Sequence, residues 1–283
     1  MLAVAFALAA SVSWGSADFL GGLTTRRATL WAVVVGSQAV GLAGAVLVVV
    51  LAGRPWIGLA GLWPVLLGGL AGSVAIVTFY RALAIGTMSL VAPISATSAL
   101  IPFVWGIAGG ERPAGVQLAG VALAVAGVLL ASVGSGGHDP AATDRSRQRR
   151  AVALALVAAV GIGIMLLGFD ATAKHDALWA MLGGRLSSAC CFAAFFAILR
   201  PRVRISRSTV APIIAIGLLD TGANGLFAAA TTRGYLSLVG VLGSLYPVVT
   251  VVLAYLVLRE RLAAHQLAGV LAALAGVALI AVH

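Results

Sequence analysis

Apolar residues fill this chain in long unbroken runs, and polar residues collect in the short gaps between them. A helix of roughly 17–25 residues crosses the ~30 Å hydrocarbon core of a bilayer. Ten runs meet that length: Leu2–Leu23, Leu30–Ala52, Ile57–Ala84, Thr87–Gly109, Ala114–Val133, Ala151–Ala173, Ala177–Leu199, Ser208–Thr231, Leu236–Leu258 and Ala263–Val282. Runs of this kind predict membrane-spanning helices, because a helix satisfies its own backbone hydrogen bonds where no water can. The first run has no basic segment before it and exceeds an ordinary signal-peptide core, so it reads as a span. The only long connection, 135–150, is rich in Gly, Ser, Asp and Arg and separates residues 1–134 from 151–283.

The two parts repeat. A shift of 148 lays Leu30-Trp31-Ala32 on Leu178-Trp179-Ala180, Phe79 on Phe227, and Ser89-Leu90-Val91 on Ser237-Leu238-Val239. After one inserted residue, Glu111-Arg112 falls on Glu260-Arg261, and the five residues from Gln117 to Val121 match those from Gln266 to Val270. Ala- and Val-rich sequence generates chance matches, but polar anchors such as Glu-Arg and Gln do not arise that way. Five spans per repeat is an odd number, so the second copy must enter the membrane upside down. The predicted fold is therefore an all-α integral membrane protein with ten transmembrane helices as two inverted-topology five-helix repeats. Such repeats characterise secondary transporters, whose site lies near the midplane between the copies.

Composition agrees with lipid as solvent. Hydrophobic residues make up 61 % of the 283, charged ones 9 %, and the mean hydropathy is +1.11. The formal charge of +10 comes largely from arginines in short loops, among them Arg145–Arg150 and Arg200–Arg207. That placement suits anionic headgroups and argues against nucleic acid as a partner. Adjacent Cys190 and Cys191 point in different directions on a helix and offer neither a disulfide nor a metal pair.

The paired motifs resemble the EamA-like transporters of the drug/metabolite transporter (DMT) superfamily. In each half a span precedes Glu-Arg, a short gap, Gln-Leu-Ala-Gly and a closing Ala/Gly/Val/Leu helix; Trp14-Gly15-Ser16 is similar to that family's opening Trp-Gly pair. Tyr246-Pro247 occupies a place where the family often carries proline, whereas the first half has Ser98 there, with Pro93 and Pro102 nearby. The resemblance implies a metabolite-efflux transporter of the cell (plasma) membrane, multi-pass, that moves amino acids, other metabolites or toxic organic molecules. It also implies both termini inside. The arginines after the first and seventh spans and in the central link favour both termini outside.

Charges within spans cost about 2.5–3.5 kcal/mol each on insertion scales and need partners or purpose. Arg185 and Asp220 lie deepest, and Asn224, Phe227 and Thr231 continue the face that Asp220 opens. Asp220 is a candidate for a substrate amine or a coupling proton and Arg185 for a carboxylate; alternatively the two neutralise each other. Asp18 and Arg81 form a second candidate pair near span ends, with Trp14 on the face of Asp18 as a stacking or cation–π wall or as bundle packing. Gln38, Phe79, Tyr80, Phe227 and Tyr246 complete the candidate lining, or serve as packing. Glu111 and Glu260 are expected to cap the next helix or offset nearby arginines, and Gly68–Gly72 and Ala268–Ala272–Gly276 to mark helix contacts.

Several chemistries are missing. Eight acidic residues form no Asp-rich metal motif, no phosphate-binding Gly-Lys-Ser/Thr loop is present, and the four histidines show no ligand spacing. No metal or cofactor and no enzymatic activity is expected. The expected partners are a small polar or amphipathic solute, the bilayer and a coupling proton; a homodimer is compatible with the small-residue stripes but not predicted. Two alternatives stay open: a membrane enzyme acting on a lipid-soluble substrate, and a non-coupled small-solute channel.

Overall fold

The computed structural model describes residues 1–25, 27–85, 94–95, 97–132, 145–200, 205–258 and 263–281. The regular structure among them is helical: α1 (Leu2–Thr24), α2 (Leu30–Leu51), α3 (Gly58–Ile85), a 3-10 turn (Thr97–Ala99) leading into α4 (Leu100–Ala108), α5 (Gly115–Ser132), α6 (Arg145–Ala173), α7 (Ala177–Leu199), α8 (Arg207–Thr231), α9 (Leu236–Gly243), α10 (Tyr246–Leu258) and α11 (Ala264–Ala281). Among the described residues eight helical stretches are long and apolar enough to cross a membrane, with α9 and α10 together counting as one, and the chain is a multi-pass membrane protein. Two expected spans are represented by shorter apolar helices, Thr97–Ala108 and Gly115–Ala131. Residues 86–93, where the fourth expected span begins, lie outside the described residues.

Local chemistry sets most helix ends. Asp176 Oδ1 accepts from the Leu178 and Trp179 amides at 2.8 and 3.0 Å, capping α7, while Ser206 and Thr209 form a capping box on α8. Gln117 Oε1 accepts from Ala114 N at 2.9 Å, and its repeat counterpart Gln266 from Ala263 N at 3.0 Å. The run Leu236–Leu258 is one span by hydropathy yet breaks at Ser244–Leu245 into α9 and α10. Pro247, the second residue of α10, has no N–H for the helix before it and a φ suited to starting a new one. At the other extreme α6 begins at Arg145, so the basic end of the central link is helical, as strong helix formers allow.

The bundle is organised by close helix pairs. α3 lies along α6, α1 along α8, and α5 along α11, with α2 and α7 packed against each other and against α8 and α3 respectively. The α5–α11 contact is backbone to backbone: a methyl added at Gly127 would lie 2.7 Å from Gly269 O, and one at Gly269 would lie 2.7 Å from Gly127 O. Gly120 and Gly276 meet in the same reciprocal way, so the two helices run antiparallel. The observed stripe on α11 is Gly269, Ala273 and Gly276; Ala268, expected in it, is exposed one position away. Gly68 and Gly72 pack on Met165 and Gly168 of α6 within this chain.

Contacts recur when the two halves are exchanged. Gly15 of α1 abuts Val249 of α10, and Gly163 of α6 abuts Ile101 of α4; both residues of each contact are 148 positions from their counterparts. Gly36 against Ile213 and Gly184 against Val65 follow the same rule. Pro64 in α3 and Pro212 in α8 are likewise 148 apart, each early in its helix.

At the end of the bundle that holds the N-terminus, Trp179 Nε1 donates to Pro55 O at 2.7 Å, its ring meets Trp56 edge-on, and Arg54 reaches Asp176 at 3.6 Å. Such aromatic clusters suit a membrane–water interface.

A charged cluster between α1, α2, α7 and α8

Arg185 sits on α7 facing both α2 and α8. Its guanidinium is buried, at 2 % exposure. Nη2 donates to Asp220 Oδ2 in an ion pair, and Nη1 donates to Gln38 Oε1 at 3.1 Å. Of the two readings of these charges, the structure contains the neutralising pair and adds Gln38 as a neutral third partner. Gln38 arrives because α2 packs on α7, and Gly41 of α2 leaves room for the guanidinium: a methyl there would lie 3.3 Å from Arg185 Nε and would strike Thr221 Oγ1. Arg185 Nε and Thr221 Oγ1 are buried without a hydrogen-bond partner among the described residues. Such orphaned groups are uncommon and mark a polar site rather than inert packing.

Asp18 of α1 faces the same group. It is exposed, and its carboxylate repels that of Asp220. No described cation pairs with Asp18; the described ion pairs are Arg54–Asp176, Lys174–Asp170 and Arg185–Asp220. Among the described residues the cluster therefore carries two carboxylates against one guanidinium. Its open side is acidic, since the Asp220 side chain is 36 % exposed and that of Arg185 only 3 %.

One turn along, Trp14 Nε1 donates to Asn224 Oδ1 at 3.1 Å, and the Trp14 and Phe227 rings lie 5.7 Å apart and tilted. Phe227 is fully buried and Asn224 nearly so, which makes this face of α8 the seam against α1. The structure thus gathers Trp14, Asp18, Gln38, Arg185, Asp220, Asn224 and Phe227 into one region.

Other expected residues lie elsewhere. Arg81 forms no ion pair with Asp18, because α1 packs along α8 while α3 packs along α6, putting the two span ends on different helix pairs. Arg81 instead lines a cavity with Arg150, and Phe79 packs near Ala82, Ala151 and Ala155. The side chain of Tyr80 lies outside the described residues. Tyr246 stands at the start of α10, where its carbonyl and that of Gly15 both accept from Thr250 Oγ1 at 3.1 Å. Glu111 caps a helix, but not the next one: its carboxylate accepts from Leu236 N at 2.7 Å and Ser237 N at 2.9 Å, at the start of α9. Gln117 already fills the capping position of the adjacent α5, leaving Glu111 to reach across the bundle. Glu260 lies outside the described residues.

Sequence reasoning passed over Thr221, whose only signal was its place beside Asp220. It also passed over Asp170, buried at the end of α6 and paired with Lys174 at 3.0 Å. The i,i+4 spacing of that pair was legible.

Residues 149–282 match the EamA-like transporter family. The second half of the chain is thus similar to that family, which lies within the drug/metabolite transporter superfamily. No curated protein matches the EamA-like chain significantly. Twenty-nine chains of solved structures match it; one crystal structure superposes with a TM-score of 0.83 at 17 % identity, covering 99 % of this chain and 98 % of its own. Likeness at that identity concerns the fold.

Proposed function

We propose that this EamA-like protein is a secondary carrier that exports a small organic solute bearing a cationic group, such as an amine, from the cell across the plasma membrane by alternating access. The observation that carries the reading is the acidic excess between α1 and α8 among the described residues: Arg185 neutralises Asp220, and Asp18 faces the same space without a described cation. Uncompensated charge inside a membrane protein marks a pathway or a coupling site. A single carboxylate that holds either a proton or the solute's cation, never both, links their movements in exchange.

The architecture supports this mechanism. Ten spans as two inverted repeats account for the exchanged contacts Gly15–Val249 and Gly163–Ile101, and for the antiparallel meeting of α5 with α11. Equivalent helices that run in opposite directions give two related ways of packing the same surfaces, one open to each side. Direction of transport rests on the family resemblance. Trp14 and Asn224 form the wall next to Asp18, and Gln38 orients Arg185 toward Asp220.

The test is counterflow in proteoliposomes, with amino acids, amines and quaternary amines screened as solutes. A carrier shows saturable uptake stimulated by solute on the opposite side, and Asp18→Asn abolishes the response to a pH gradient while the protein still inserts. Flux without such stimulation would establish a channel; chemical conversion without flux would establish an enzyme. Undiminished pH-driven transport in Asp18→Asn would remove Asp18 as the coupling group.

A further inference from the structure

α3 and α6 touch closely through most of their length, where Gly68, Gly161 and Gly168 bring the backbones together. Toward the C-terminal end of α3 the glycines stop. There the helices leave a cavity of about 370 Å³ lined by Arg81 and Ile85 from α3 and by Arg150, Ala153 and Leu154 from α6. Both guanidinium-bearing residues are exposed, and neither has a partner among the described residues. Two like charges facing one cavity repel each other, and a shared counter-anion relieves that repulsion. Beside them Ile85, Ala153 and Leu154 make the rest of the wall aliphatic. Basic groups beside an apolar wall match an amphiphile with an anionic head.

The position along the bundle selects among anions. Arg27, Arg147, Arg149, Arg150, Arg200 and Arg207 gather at this same end, whereas the described cations at the other end are Arg54, Arg112, Lys174 and Arg233. An arginine-rich end faces the cytoplasmic leaflet, which holds the anionic lipids, and basic pockets between helices on that side bind acidic headgroups. We infer that the cavity between α3 and α6 is a binding site for an acidic phospholipid, with its phosphate held between Arg81 and Arg150 and its acyl chain along Ile85, Ala153 and Leu154. This site is separate from the cluster around Arg185 and does not depend on what the protein transports.

Native mass spectrometry of the detergent-purified full chain tests it, with dioctanoyl phosphatidylglycerol, dioctanoyl phosphatidylcholine and inorganic phosphate as probes. Two basic groups beside an anionic head give a preference for phosphatidylglycerol over phosphatidylcholine of roughly thirtyfold. R81Q and R150Q each lose roughly fivefold of that preference on the same scale, and R81K/R150K keeps most of it. Equal binding of the two lipids by the unaltered protein overturns the proposal, and that comparison stands even if a variant fails to fold. Retention of the full preference by R81Q/R150Q overturns it as well. Displacement of phosphatidylglycerol by equimolar inorganic phosphate would assign the site to a soluble anion and overturn the lipid as its source.

Discussion

At the residue scale the Arg185–Asp220 pair separates two kinds of carboxylate. Asp220 is bound up with a buried guanidinium, so its removal strands a cation that water cannot reach. Removing one partner of a buried pair costs about 3–5 kcal/mol, whereas replacing both by apolar groups is often close to neutral. Asp220→Ala is therefore expected to lower the unfolding temperature in detergent sharply, and Arg185→Met/Asp220→Leu to restore most of it without restoring transport. Asp18→Asn has the opposite character: it removes a like charge facing Asp220, so stability holds or rises while coupling is lost. Equal destabilisation by Asp18→Asn and Asp220→Ala would contradict this division of roles. The cost of an intramembrane charge made Arg185, Asp220 and Asp18 stand out in the sequence. Gln38 stood out only as a candidate lining residue, since its bond to Arg185 appears once α2 is laid on α7, and Arg81 shares a membrane end with Asp18 without sharing a neighbour.

At the element scale, helices here begin where a side chain accepts the first amides, and Glu111 does so for a helix 125 residues away. Two amides donate to its carboxylate, the favourable sign of charge for a helix N-terminus. Glu111→Ala removes both charge-assisted bonds and is expected to cost about 2–3 kcal/mol. Hydrogen exchange at the Leu236 and Ser237 amides should accelerate selectively, with α5 and α11 unaffected. Uniform acceleration throughout the bundle would mean that the contact has no local capping role. Gly106→Ala should reproduce the defect, because its methyl would collide with the Glu111 carboxylate and lie 3.0 Å from Ser237 N. The helices themselves were readable from run length, and most observed ends fall within a residue or two of the expected ones. The exceptions have local causes: proline placement divides Leu236–Leu258, and the arginine run prolongs α6 toward water. A contact between Glu111 and α9 was unreadable, since sequence spacing announces only caps on the same helix.

At the scale of the whole molecule, Glu-Arg and Gln-Leu-Ala-Gly pointed to a repeat in the sequence, and the paired glycines and prolines are further positions 148 apart that only packing makes meaningful. The same topology divides the polar chemistry between two ends. Chain direction through α1, α2 and α3 places Arg27 and Arg81 at one end and Arg54 at the other, and α6 to α8 place Arg150 and Arg207 with the first group and Lys174 with the second. If the arginine-rich end is cytoplasmic, as the positive-inside rule requires, both Leu2 of α1 and Ala281 of α11 lie toward the outside, against the habit of the family. Impermeant maleimide labelling of intact cells decides the question once Cys190 and Cys191, which are not fully buried, are replaced by alanine. A cysteine at Arg54 or His175 should then react in intact cells, and one at Arg27 or Arg207 only after permeabilisation. The reverse pattern would move the arginine-rich end, with the Arg81–Arg150 cavity, into the outer leaflet. The proposed carrier reading would survive in that orientation, but an acidic phospholipid would then lose its basis as the ligand of the cavity. Labelling at both sets of positions in intact cells would indicate insertion in both directions, which so uneven a distribution of arginines opposes.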